Sequence, residues 1–133
     1  MTGANIATPN TVTPNTVTPN TVTPNTVTQS QKPPGECLSL TDVRQEIDRL
    51  DRALVDLMAV RFGYVERAWQ LKLVEKAEAN VPWRNQQVVD KVRAIAAEKG
   101  VPPDLVEALW RQMIGWFIQY EEEKLRDQIE QKS

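Results

Sequence analysis

The sequence predicts an all-α chain of three helices, the first so long that a second copy of the chain is needed to cover it. Two observations carry this. Between Gly35 and Pro82 no proline interrupts a stretch in which apolar residues recur every three or four positions. Two shorter stretches follow, separated by Gly100, Pro102 and Pro103, residues that stop one helix and delay the next.

The chain has 133 residues, which bounds it to one domain. Six of its nine prolines lie in the first 35 residues, where Lys32 is the single charged side chain. From Thr8 the unit Thr-Pro-Asn-Thr-Val runs four times, to Val27, and then decays through Gln29, Ser30 and Gln31. A proline every fifth residue forbids helix, and one valine per unit buries too little to offset chain entropy. Residues 1–35 therefore read as a disordered tail, and residues 36–133 as the folded domain. That domain carries 15 Lys+Arg against 18 Asp+Glu, a balance that excludes nucleic-acid or membrane binding through bulk positive charge. Histidine is absent, which removes histidine triads, bases and metal ligands, and the lone Cys37 excludes an internal disulfide and a thiolate zinc cluster. No apolar run approaches the roughly 18 residues of a membrane span, and the N-terminus lacks the basic and apolar segments of a secretory signal. The expectation is a cytoplasmic protein.

Val43, Ile47, Leu50, Leu54 and Leu57 begin the stripe of the first helix, and Val65, Ala68 and Leu71 continue it. Ser39 with Asp42 resembles a capping box, placing the start near Leu40. The polar run from Glu75 to Asn80 places the end near residue 77. Such a helix measures about 57 Å at 1.5 Å per residue, against about 26 Å across a compact domain of this size. An intertwined homodimer, with the long helices of two chains packed together, is the economical way to bury the stripe. The second helix is predicted from about Asn85 to Lys99, ended by Gly100. Asp104 is expected to cap the third, which buries Leu105, Leu109, Met113, Trp116, Phe117 and Tyr120 and ends near residue 127.

Cations fall where that stripe calls for apolar residues. Arg61 and Lys72 are eleven residues apart, so they point within about 20° of one another at about 16 Å separation. A buried cation without a partner is expensive, and no acid of the first helix lies on that line near both. A carboxylate from another helix or an anionic ligand must neutralise them. Arg44, 17 residues before Arg61, is rotated by about 100° and about 25 Å away; it joins such a site only from the partner chain of an antiparallel dimer. Arg84 sits at the start of the second helix, where backbone N–H groups favour anions. Glu121 follows Phe117, Ile114 and Trp110 along an apolar edge of the third helix. Desolvation there would favour the protonated form, which donates a hydrogen bond, whereas nearby Lys72 and Arg61 would favour the carboxylate; the alternative is that Glu121 belongs to a solvated acidic face. Glu122 and Glu123 read as a solvated face.

At this point the chain resembles the all-helical chorismate mutase family, including its isochorismate-pyruvate lyase branch. The resemblance lies in Leu40–Asp51 with its Arg44 before Ile47-Asp48, in Arg61 and Tyr64-Val65 followed by Lys72, in Arg84 sixteen residues before Gly100, and in Ile114–Ile118 leading to Glu121. It implies a dimer of three-helix chains with two sites inside the bundle, a small dianionic substrate, and no cofactor. Carried over by position, Arg44 binds one substrate carboxylate in the partner chain's site and Arg61 the other. Lys72 hydrogen-bonds the ether oxygen of the breaking C–O bond, Arg84 stabilises the enolpyruvyl group, and Glu121 contacts the same ether oxygen. Asn85 stands where many mutases place a carboxylate against the ring hydroxyl and where the lyase branch is apolar, which favours chorismate. Glu36-Cys37 and the Ile114–Ile118 run are closer to the lyase branch. Leu73–Trp83, longer than in that branch, is expected to form a mobile lid. The resemblance implies chorismate mutase, a pericyclic isomerase of the shikimate pathway. The alternatives are isochorismate-pyruvate lyase, making salicylate and pyruvate, and a non-catalytic helical dimer.

Overall fold

The computed structural model describes residues 32–131. The repeat tail expected over residues 1–35 lies outside these except for its last four residues. Among the described residues every regular element is helical: a 3-10 turn at Pro34–Glu36, then α1 (Leu40–Glu75), α2 (Pro82–Lys99) and α3 (Pro103–Gln131). None of these helices is long and apolar enough to cross a membrane. The chain divides into two compact units between Tyr64 and Val65, inside α1.

In the first unit the 3-10 turn closes with Glu36 N–H donating to Pro33 O at 2.9 Å. Ser39 and Asp42 then start α1. The Asp42 N–H donates to Ser39 Oγ at 3.1 Å, while the Asp42 carboxylate accepts from the Leu38 N–H at 3.0 Å and from Lys32 Nζ at 3.3 Å. This is the expected reciprocal cap with the returned bond moved one residue earlier. Those bonds, the Leu38 N–H first, hold the Asp42 carboxyl below its usual range. The apolar stripe of this unit stays open within the single chain. Val43, Ile47, Leu50, Leu54 and Leu57 are all exposed, Leu54 by 56%.

The second unit packs α2 against α3. Val89, fully buried, and Ala96 form the core side of α2. Small and β-branched residues at that seven-residue spacing recur on one helix face and admit a close neighbour. Arg93 donates to Asp104 at 2.9 Å and to Glu107 at 2.8 Å, and Arg111 donates to Glu107 at 2.6 Å and to Gln86 at 3.1 Å, so charge pairs line the α2–α3 seam. Gly100 ends α2 in the left-handed conformation (φ 77°), with the Gly100 and Val101 N–H groups returning to Ala97 and Ala96. That is the Schellman arrangement for which glycine has no steric cost.

Several boundaries differ from those expected, each for a local reason. The first helix stops at Glu75 rather than 77, because Lys76 turns left-handed (φ 59°) and the Ala77 N–H returns to Lys72 O at 2.8 Å. The second begins at Pro82, three residues earlier than Asn85, since proline is pre-organised for the first helical position and Val81 O accepts from both Arg84 and Asn85 at 3.0 Å. Asp104 does not cap α3. The helix begins at Pro103, which leaves Asp104 inside the first turn, paired with Arg93. Running to Gln131, α3 outlasts its expected end by four residues, as nothing in Asp127–Gln131 stops a helix. Its expected buried side is only partly covered. Met113, Phe117 and Tyr120 are half-buried, but Leu105, Leu109 and Trp116 are exposed in the single chain.

Candidate functional site

Within the second unit, the last turns of α1 carry Glu66, Trp69 and Lys72, and α3 faces them with Tyr120 and Glu121. Lys72 Nζ donates to Glu121 Oε1 at 2.7 Å and to the Ala79 backbone carbonyl at 2.9 Å. Glu121 is 7% exposed and is the buried charged residue of the described chain. A buried carboxylate is tolerated only when paired and hydrogen-bonded, and the ammonium supplies both. Of the two ways to neutralise Lys72, the structure contains the first, a carboxylate from another helix. An ammonium has three N–H donors; with two directed at fixed acceptors, the third has a defined direction. Glu122 and Glu123 are exposed, so the register along Trp110, Ile114 and Phe117 does single out Glu121.

The connection from Lys76 to Val81 is bonded at two consecutive residues. Ala79, itself buried, gives its carbonyl to Lys72, and Asn80 Oδ1 accepts from Asn85 Nδ2 at 2.8 Å. Much of the expected Leu73–Trp83 lid is helix at either end, and its middle is tied to Lys72 and Asn85. Sequence reasoning missed the Lys72 tie because a backbone acceptor leaves no mark in residue type, and the Asn80–Asn85 tie because it bridges a loop and a helix start that was expected three residues later. Arg84, exposed, donates to Gln87 one turn along its own helix at 2.6 Å. Arg44 and Arg61 belong to the first unit, Arg44 exposed and Arg61 half-buried. Thus Lys72 and Glu121 come together, while Asn85 joins the segment that also touches Lys72.

Also missed is a second link between α1 and α3. Tyr120 Oη donates to Glu66 Oε2 at 2.5 Å, and Trp69 Nε1 donates to Glu66 Oε1 at 2.7 Å. Tyr120 was expected on the apolar side of α3, and its ring is half-buried there, stacked on Trp116 at 5.4 Å. The Tyr120 hydroxyl, and then Trp69, hold the Glu66 carboxyl below its usual range. The same bond, with partial burial, pushes the Tyr120 phenol up to about 12.

No group of three or more His, Cys, Asp or Glu side chains is gathered as a metal-ligand set among the described residues. A shallow open groove of about 560 Å³ runs along one face of α2, lined by Trp83, Gln86, Gln87, Asp90, Lys91 and Ala94. It includes none of the charged groups described above. The chemistry available at Lys72 and Glu121 is hydrogen bonding and charge stabilisation from fixed groups.

Comparison with known proteins places the chain in a family. An isochorismate pyruvate lyase from Pseudomonas aeruginosa is 34% identical over 87 residues, covering 65% of this chain and 85% of that protein. A T-protein from Enterobacter agglomerans is 36% identical over 75 residues, which is 56% of this chain but only 20% of the T-protein. No solved structure matches the chain significantly. Residues 43–122 match the family described as chorismate mutase type II, a span that includes Arg44, Arg61, Lys72, Arg84, Asn85 and Glu121, and the chain belongs to that family.

Proposed function

We propose that this chain is a chorismate mutase, rearranging chorismate to prephenate. The reaction is pericyclic: a C–O bond breaks as a C–C bond forms within one molecule, with no nucleophile and no net proton transfer. What accelerates it is a compact substrate conformer and positive charge where the ether oxygen gains electron density. The observation that carries the reading is the Lys72 ammonium held by Glu121 and Ala79. Lys72 directs its third N–H at the ether oxygen, and Glu121, when protonated, adds a second donor. Arg61 holds one carboxylate, and Arg84 stabilises the enolpyruvyl group. Asn85, oriented by Asn80, meets the ring hydroxyl.

The working molecule in this proposal is a homodimer. Support comes from the open stripe of α1, since Val43, Ile47, Leu50, Leu54 and Leu57 leave a row of large apolar side chains in contact with water. A contiguous exposed apolar face of this kind marks an interaction surface. A second copy brings Arg44 to the other substrate carboxylate.

The relative from Pseudomonas aeruginosa favours a second reading, isochorismate-pyruvate lyase, because the match extends over most of that protein. Incubating the purified protein with chorismate and, separately, isochorismate distinguishes them. Prephenate from the first supports the mutase; salicylate and pyruvate from the second, without prephenate, replace it with the lyase. Neither product would leave a non-catalytic helical module.

A further inference from the structure

Two hydrogen bonds join α1 to consecutive residues of α3: Tyr120 to Glu66 and Lys72 to Glu121. Consecutive helical positions point about 100° apart, so the pair resists rotation of α3 about its own axis. Their partners on α1 are six residues and about 9 Å apart, so the pair also resists sliding. A slip of α3 by one residue would move Glu121 by about 1.5 Å and turn it by about 100°, taking it away from Lys72. Either bond alone leaves one of these motions open.

The Glu66–Tyr120 bond is built to stay in place. Trp69, midway between Glu66 and Lys72, occupies Oε1 of Glu66 and leaves Oε2 for the phenol. Trp116 stacks on the Tyr120 ring with 15° between planes, Phe117 meets it edge-on at 6.4 Å, and the Lys124 ammonium lies 5.4 Å from its centre. Stacking and a cation over the ring fix its orientation, and a hydroxyl bonded to a carboxylate is a strong, charge-assisted contact.

We propose that Glu66 and Tyr120 are positioning residues for the Lys72–Glu121 pair, holding α3 in the register that aims the Lys72 ammonium at the reacting oxygen. This rests on the reading of Lys72 and Glu121 given under Proposed function. It concerns two residues that touch no substrate themselves and act through their neighbours.

The test separates the bond from its consequence. In a Tyr64→Phe background Tyr120 is the only tyrosine left, so alkaline absorbance titration reads its hydroxyl directly. It should ionise at about 12, and nearer the ordinary phenol value of about 10 once Glu66→Gln is added. Tyr120→Phe, which keeps the ring, and Glu66→Gln should each lower kcat roughly tenfold with KM changed less than about twofold, at unchanged helicity. An ordinary phenol titration in the background protein overturns the proposal. So does full kcat in both variants. Should Tyr120→Phe not fold, Glu66→Gln alone decides. If the parent turns over neither chorismate nor isochorismate, the catalytic reading fails by itself. A double-mutant cycle of unfolding with Tyr120→Phe and Glu121→Gln then decides: coupling of at least about threefold in the unfolding constant supports positioning, and additivity overturns it.

Discussion

Lys72 Nζ and Glu121 Oε1 lie 2.7 Å apart across the α1–α3 contact, with the carboxylate side chain 10% and the lysine side chain 24% exposed. The pair is thus neither a surface ion pair, which contributes little, nor a fully dry one.

Removing the cation should damage both stability and turnover. Lys72→Ala leaves the Glu121 carboxylate buried without its partner, a loss expected at about 2 kcal/mol by urea unfolding, below the ~3–5 kcal/mol of fully buried pairs. If Lys72 serves the ether oxygen as proposed, its loss should lower kcat by roughly 10²–10³ with a much smaller change in KM. Arg61→Ala should show the opposite balance, because a substrate carboxylate is charged in both ground and transition states. A raised KM with unchanged kcat in Lys72→Ala would demote Lys72 to a carboxylate anchor.

Lys76 offers a stabilising change. Its left-handed backbone carries a Cβ where glycine would carry none, a conformation that costs an L-residue about 1–2 kcal/mol. Part of the relief is offset by the freedom glycine adds to the unfolded chain. Lys76→Gly should therefore raise stability by about 0.5–1 kcal/mol in urea unfolding. A loss would show that the Lys76 side chain contributes more than its backbone costs.

The Tyr120–Glu66 bond sets a pH window. Glu66 is lowered from its ordinary 4.5, so the stability it contributes is present above that value and lost as pH falls through its lowered one. Tyr120 is raised from 10.0 to about 12, so its contribution is present below 10.0 and lost as pH rises through about 12. The difference in urea midpoint between parent and Tyr120→Phe should stay flat from about pH 5 to 9 and shrink on both sides. A difference that widens in acid would mean the phenol stabilises something other than the Glu66 carboxylate.

Much of this was legible in the sequence, and the limits have physical causes. The three helices follow from apolar spacing and from Gly100, Pro102 and Pro103, and the burial of Glu121 follows from its place after Trp110, Ile114 and Phe117. Helix starts at Pro82 and Pro103 are harder, because proline reads as a breaker although it suits the first helical position. Tyr120 and Glu66, 54 residues apart in sequence, have no local spacing to betray them. The stripe of α1 is legible as apolar, and in the single chain it stays exposed.

Glu121→Gln tests which form of the acid helps. Glutamine keeps the shape and offers an N–H donor where the carboxylate offers acceptors only, and the proposed site sets this group against an oxygen on which negative charge builds. Glu121→Gln should therefore match or exceed the parent's kcat. Glu122→Gln, on the exposed side, should leave kcat unchanged. If Glu122→Gln alters it and Glu121→Gln does not, the reacting oxygen meets the other carboxylate.

The proposed dimer makes a prediction that a monomer cannot satisfy. If Arg44 serves the partner chain's site, Arg44→Ala and Arg61→Ala each destroy both sites of a homodimer. In a mixed dimer the lesions segregate. One site receives intact Arg61 from the first chain and intact Arg44 from the second, while the other site receives both defects. Random exchange makes half of the dimers mixed, so activity should recover to about a quarter of the parent's. Leu54→Glu, on a side chain 56% exposed in the single chain, should leave helix formation intact and shift sedimentation towards the monomer, abolishing the recovery. If the mixture stays as inactive as either variant despite demonstrated exchange, Arg44 does not reach the partner's site.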